Sequence, residues 1–310
     1  MPTYRAYGLT VEADVPIPDL PQEKTARDSA VQIRHAPLPN IQTPDTPRPR
    51  GVQREDGIYF AWPEVGTYRV DGPDCITCNP DPDVDRRYAL QPILGVLFGT
   101  LLHLRGFCTL HASAVVMENE TVGENPTLGR AAAFTGWKRQ GKSTTAAAFR
   151  QASFSLLTDD VLALEGIPGA EPHARPSFPR LKLRPNAAQE LGYDWEQLSS
   201  LGEPMSKRAW TGSEGFCTEA RPLAGIFYLD EGESVSCERL DGQEGFQALL
   251  EQSYAPRFLG SDLTGNRHFE QCSDLARRVP IYRLQRPRRF SVLPQVIEVV
   301  REHLLARPVL

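Results

Sequence analysis

The octapeptide Gly136-Trp-Lys-Arg-Gln-Gly141-Lys142-Ser143 constrains this chain more tightly than any other stretch. It satisfies the pattern G-x-x-x-x-G-K-[ST], in which a glycine-bracketed turn joins a strand to a helix. The flanks agree with that geometry. Arg130 to Thr135 (RAAAFT) reads as a short buried strand, and Thr144 to Arg150, with three alanines and no breaker, predicts the helix. A turn of this kind aims backbone N–H groups and a helix N-terminus at one point, which suits phosphate oxygens. Lys142 would add a point charge there, and the Ser143 hydroxyl would hold Mg²⁺. The competing reading is an ordinary turn before a helix. With five lysines against twenty-nine arginines, an accidental match that requires lysine is rare in this composition.

The rest of the composition narrows the class. A length of 310 residues, 40% hydrophobic and 24% charged, suits one large or two modest soluble domains. A net charge of −5 argues against wholesale nucleic-acid or anionic-membrane binding, so neither partner is expected. Met1 to Leu20 carries Glu12, Asp14 and Asp19 and has no apolar block, so no signal peptide is expected there. Pro92 to Leu102 is the most apolar segment but too short to span a bilayer, and its Gly95-x-x-x-Gly99 spacing predicts a tightly packed buried helix. Six cysteines without a secretory signal point to reduced thiols and a cytoplasmic location. Cys75-x-x-Cys78 with Cys108-x-x-His111 has zinc-ligand spacing, although packed core thiols are the expected reading.

Along the chain, residues 1 to 85 are predicted to be β-rich, with strands at Tyr4–Val11, Ala30–Arg34, Gly57–Trp62 and Thr67–Val70. His35 to Arg50, with five prolines, reads as an extended loop. Residues 86 to 310 form the second unit. It is expected to hold a long buried helix over Asp85–Gly106, a strand over Thr109–Met117, a polar loop over Glu118–Gly129, and then the strand–turn–helix. Ser153–Leu157 and Val161–Leu164 read as strands on either side of Thr158-Asp159-Asp160. Arg180–Arg184, Leu223–Leu229 and Pro280–Leu284 read as further strands, with helices at Pro185–Leu191, Gly245–Ser253 and Ser291–Leu305.

Asp159 and Asp160 follow an apolar strand sixteen residues beyond Ser143. If that strand neighbours the one entering the turn, both carboxylates emerge where open α/β sheets bind ligands. One could hold Mg²⁺ while the other takes a proton from an attacking hydroxyl. A turn or helix-capping aspartate pair is the alternative.

His111-Ala-Ser-Ala-Val-Val, the loop ending Gly-Lys-Ser-Thr and Leu157-Thr-Asp-Asp-Val together resemble the catalytic core of HPr kinase/phosphorylase, over about residues 109 to 185. Pro179-Arg-Leu-Lys-Leu and Pro222-Leu-Ala-Gly-Ile-Phe-Tyr-Leu are similar to the more diverse HPr-kinase-like proteins. The resemblance implies an α/β fold with a P-loop nucleotide-binding core akin to HPr kinase and phosphoenolpyruvate carboxykinase, carrying a β-rich N-terminal region. It implies ATP and Mg²⁺ as cofactors. It gives Gly136, Trp137, Lys138, Arg139, Gln140, Gly141, Lys142, Ser143 and Thr144 to the phosphates, and Ser143 and Asp160 to the metal. Asp159 becomes the base, with the order of the two aspartates open, and His111 lies beside the phosphates. The chain departs from the family at Thr144, where an acidic residue is usual, and at Arg139-Gln140, and no counterpart of its metal-contacting glutamate stands out.

The expected function is a kinase that transfers the γ-phosphoryl group of ATP to a hydroxyl, with serine, free or in a peptide or protein, as acceptor. Residues 1–85 are a candidate docking part and a homo-oligomer is a candidate assembly. Two other readings stay open: a nucleotide-binding sensor without transfer, and a kinase tailoring a ribosomally made peptide. Arg175, Arg180, Lys182, Arg184, Lys207 and Arg208 are candidate cations to complete the site.

Overall fold

A computed structural model describes residues 1–24, 30–41, 51–117, 129–255 and 261–305. Most of the proline-rich loop (42–50) and of the polar loop before the strand–turn–helix (118–128) lies outside the described residues. The fold is mixed α/β, with several sheets.

The N-terminal region folds as a seven-stranded sheet in the order β1-β2-β3-β7-β6-β5-β4. Its strands are β1 Thr3–Ala6, β2 Leu9–Ala13, β3 Val31–His35, β4 Val52–Arg54, β5 Gly57–Trp62, β6 Gly66–Asp71 and β7 Cys75–Pro80. The single strand expected over Tyr4–Val11 is a hairpin instead. Tyr7 and Gly8 take positive φ (55° and 73°) and reverse the chain between β1 and β2. The expected helix over Asp85–Gly106 is also divided, into Arg86–Ala89, a π-helical turn Ile93–Leu97 and a helix Phe98–Leu104. Pro92, which has no N–H to continue a helical ladder, sits at the break. The apolar side chains of this segment, Ile93 to Leu102, pack into the core of the N-terminal sheet.

The second sheet has nine strands and turns on one long strand, β17 Arg221–Glu231. One flank runs β11 (Ser155–Thr158), β9 (Ala112–Met117), β10 (Arg130–Thr135) and β17, while β19 (Ile281–Arg286) and β18 (Ser236–Arg239) extend the far side. The start of β17 leads into β13 (His173–Ala174), β12 (Leu162–Glu165) and β8 (Cys108–Leu110). The strand expected over Thr109–Met117 therefore breaks at His111, because β8 pairs with β12 while β9 pairs with β10 and β11. A small sheet of β14 (Leu181–Leu183), β15 (Ser199–Ser200) and β16 (Arg208–Trp210) stands apart.

Strand β10 is buried on both faces, and its period of two explains the RAAAFT composition. Ala132 and Phe134 face one core, where Phe134 meets Phe149 of the helix Lys142–Gln151 at 5.0 Å between ring centroids. Ala131 and Ala133 face another core, built with the helices Gly242–Glu251 and Ser261–Arg278. The latter helix escaped the sequence reading because its segment, SDLTGNRHFEQCSDLARR, is mostly polar.

The Gly95-x-x-x-Gly99 spacing serves packing. A Cβ at Gly99 would lie 2.5 Å from the Tyr254 ring, and one at Gly95 would lie 3.2 Å from the Tyr254 hydroxyl. Among the described residues, no helix is long and apolar enough to cross a membrane. Gly99→Val should cost about 1–3 kcal/mol, the usual penalty for overpacking a buried contact. Equilibrium urea unfolding measures it, and an unchanged midpoint would contradict the tight seat for Tyr254.

Candidate functional site

Four chain segments deliver side chains to one edge of the large sheet. Strands β10 and β11 are each antiparallel to β9, so they run parallel to each other and end at the same edge. The two are not direct neighbours, because β9 lies between them. The intervening strand matters because it begins at that edge and contributes Ser113. Strand β19 is parallel to β17, which is parallel to β10, and so brings Arg286 to the same place.

Beyond β10 the chain turns through Gly136 (φ 135°) and Gly141 (φ 85°) into the helix Lys142–Gln151. Both glycines hold a φ that strains any L side chain, and a Cβ at Gly136 would also lie 2.8 Å from the backbone oxygen of Leu229. The leading N–H groups of the helix have no side-chain cap from Gly141, and Gly141 to Thr144 line the pocket. Lys142 is buried, its ammonium folded over the turn onto Gly136 O (2.6 Å) and Trp137 O (3.2 Å).

The two aspartates part company. Asp160 adopts positive φ (82°), a conformation that aspartate tolerates better than most residues, and this bend sends the carboxylates to different partners. Asp159 is buried. Its Oδ1 accepts from Ser113 Oγ (2.7 Å) and Ser143 Oγ (2.8 Å), and its Oδ2 from the Lys182 backbone N–H (3.0 Å). Three donors compensate the burial of one negative charge. Asp160 Oδ2 accepts from Lys182 Nζ (2.7 Å), and His111 Nδ1 lies 3.3 Å from Oδ1 and 3.0 Å from the Asp160 carbonyl oxygen. Burial would raise the Asp160 carboxyl, but the Lys182 charge and the His111 hydrogen bond outweigh it and hold the group well below the ordinary value.

The edge opens into a pocket of about 870 Å³. Nine Lys and Arg side chains line it against two aspartates, so an acidic chain carries a strongly basic cavity. The segments Lys138–Thr144, His111, Asp159 and Asp160 of the sequence prediction all line it; Gly136 and Trp137 do not, although their carbonyls hold Lys142. Trp137 is exposed. Of the candidate cations, Lys182, Arg184 and Lys207 are present. Burial, then the charge of Lys182, lower the Lys207 ammonium, while Asp159 and Asp160 oppose that shift. The other three serve elsewhere: Arg180 is buried on Asp19 (2.9 Å), Arg175 pairs with Glu165 (2.6 Å) and Arg208 with Glu196 (2.9 Å).

Sequence reasoning missed Ser113, Tyr254 and the cluster Arg286, Arg288 and Arg289. Arg286 is buried and donates to Gln140 O (2.8 Å), bracing the turn from outside. Three arginines within four residues at the end of a predicted strand were the available signal. The zinc set that the spacing allowed is not assembled: Cys75 and Cys78 lie on β7, His111 lies in the pocket, and Cys108 meets other partners.

No family model matches the chain, and no curated protein matches it. Among solved structures, it is similar to the Hpr(Ser) kinase/phosphatase from Coxiella burnetii, at 12% identity and a TM-score of 0.33, over 64% of this chain and 97% of that one. The superposition is loose.

The Asp160 pair makes a pH prediction. A carboxyl held below the ordinary 3.8 stabilises the fold fully above that value and loses the contribution as pH falls further. Lys182→Met removes the main opposing charge, so Asp160 should titrate higher and acid destabilisation should begin closer to neutrality. Unfolding midpoints down to about pH 2 measure this. Superimposable acid limbs would contradict it.

Proposed function

We propose that this chain is a Mg²⁺-dependent phosphotransferase with a phosphate-binding-loop core, moving the γ-phosphoryl group of ATP to a hydroxyl. The observation that carries the reading is the 2.8 Å bond from Ser143 Oγ to Asp159 Oδ1, at the rim of a pocket dominated by cations. A hydroxyl beside a buried carboxylate is a pair of hard oxygen donors. Mg²⁺ commonly binds one or two such groups together with substrate phosphates. The uncapped helix start and Lys142 suit the β- and γ-phosphate oxygens, so this donor set fits a nucleotide with its cation. When bound, Mg²⁺ would supply positive charge that offsets the negative charge developing during transfer.

The chain's own groups divide the remaining work. Ser143 and Asp159 hold the cation, with Ser113 fixing the Asp159 carboxylate. The Lys142 ammonium exchanges its loop carbonyls for phosphate oxygens. Asp160 faces the acceptor and takes its proton, so the two aspartates exchange the duties that the sequence suggested. Lys182 and His111 keep Asp160 ionised at neutral pH, as a general base must be. Weak basicity suffices, because phosphoryl transfer depends mostly on positioning and electrostatics. Arg184, Lys207, Arg288 and Arg289 favour an acceptor that carries negative charge of its own. Serine is the acceptor hydroxyl that the sequence resemblance favours.

Two variants test the assignments. Lys142→Ala should weaken ATP binding by roughly tenfold or more, since a charge-assisted hydrogen bond is worth about 1.5–3 kcal/mol; unchanged affinity by calorimetry would remove the loop from the site. Asp160→Asn should keep ATP affinity and lower transfer by about 10²–10⁴-fold. Retained transfer in that variant would return the base role to Asp159. The acceptor is sought with γ-labelled ATP and a cell extract. Binding without transfer to any species would leave a nucleotide sensor in place of a kinase.

A further inference from the structure

Away from the pocket, three donor atoms meet in the core. Cys108 on β8 and His268 and Cys272 on the helix Ser261–Arg278 bring two sulfurs and an imidazole nitrogen within 4.8 Å of one another. All three residues are buried. His268 and Cys272 stand four residues apart, one turn of the same helix face. The Cys272 Sγ to His268 Nε2 separation is 3.4 Å. Two corners of a zinc tetrahedron, with Zn–S about 2.3 Å and Zn–N about 2.0–2.1 Å, lie about 3.5 Å apart. Ser253 Oγ joins the group, 2.5 Å from His268 Nε2 and 4.0 Å from Cys272 Sγ.

Packed thiols alone would be unremarkable, because cysteine is often buried as a small apolar residue. The polar atoms around them are what call for another explanation. His268 Nδ1, His103 Nδ1 and both amide atoms of Gln252 are buried without hydrogen-bond partners. His103 and His268 rings lie 5.6 Å apart, and Gln252 precedes Ser253. A buried imidazole nitrogen left unpaired on His268 itself, beside the three donors, calls for a bound ion or ordered water to fix the ring.

We propose that Cys108, Cys272 and His268, with Ser253 beside them, form a binding site for a thiophilic divalent cation of the zinc class. Sulfur and imidazole donors without a carboxylate select zinc over magnesium, so this site and the hard-oxygen pair at Ser143 and Asp159 take different ions. The cation ties together the segments that flank the pocket. Strand β8 leads directly into His111, whose N–H bonds Gln252 O (2.7 Å), and Tyr254 N–H bonds Thr109 O (2.8 Å). A metal at the cluster therefore fixes the approach of both His111 and Tyr254. Its existence does not depend on the nucleotide reading.

The test uses the full chain, purified under reducing conditions, with metal content measured by mass spectrometry and the metal-free protein titrated with Co²⁺. About one zinc ion per chain is expected, and Co²⁺ should give a sulfur-to-metal charge-transfer band with the visible absorption of a tetrahedral site. Chelation should lower the thermal midpoint. Cys272→Ser should abolish the Co²⁺ band, and a far-ultraviolet dichroism spectrum matching the parent confirms that the variant folds. The unmodified chain supplies its own answer if the variant does not fold. Absence of a thiolate–cobalt band there would overturn the site, as would a Cys108–Cys272 disulfide found under native conditions.

Discussion

The buried carboxylate of Asp159 holds the large sheet's business edge together. It accepts one hydroxyl from the start of β9, another from the first turn of a helix, and an amide from β14. Those donors come from three separate segments, so one charge closes three loops of chain. A buried anion left unpaired would cost several kcal/mol, which makes the arrangement nearly obligatory once the strands have paired. Ser143 cannot sit elsewhere without leaving that anion short of a donor. The loop preceding it is consequently fixed at both ends, by β10 behind it and by the Arg286 bond to Gln140 O beside it.

Charge is distributed unevenly around this knot. The chain is acidic overall, yet its pocket gathers nine cationic side chains. Such crowding is unfavourable in the absence of an anion, as the lowered Lys207 and Arg286 groups register: burial comes first in both, followed by a neighbouring cation. A site that is repulsive when free gains most from an anionic ligand. Asp160 moderates the repulsion through Lys182 while remaining ionised itself.

How much of this was readable beforehand depended on whether a residue's role was local. The strand, turn and helix over 130–151 emerged from a contiguous pattern because glycine, lysine and serine are required there at fixed offsets. Trp62 and its strand were legible through β-branched and aromatic content. The strand order was not, since β9 inserts itself between β10 and β11 through hydrogen bonds that no spacing encodes. Ser113 went unnoticed for that reason, although it stands two residues from His111. Arg180 looked like a site cation and is a core ion pair with Asp19, 161 residues away in sequence. The spacing of Cys108 from Cys78 said nothing of its neighbours, which come from a helix whose polar sequence hid it.

A crystal structure grown with a non-hydrolysable ATP analogue and Mn²⁺ tests the central claim most directly. The anomalous signal of manganese should fall between Ser143 Oγ and Asp159, with the terminal phosphates against the amides of Gly141 to Thr144. A nucleotide bound elsewhere, or a manganese ion seated away from Asp159, would contradict it.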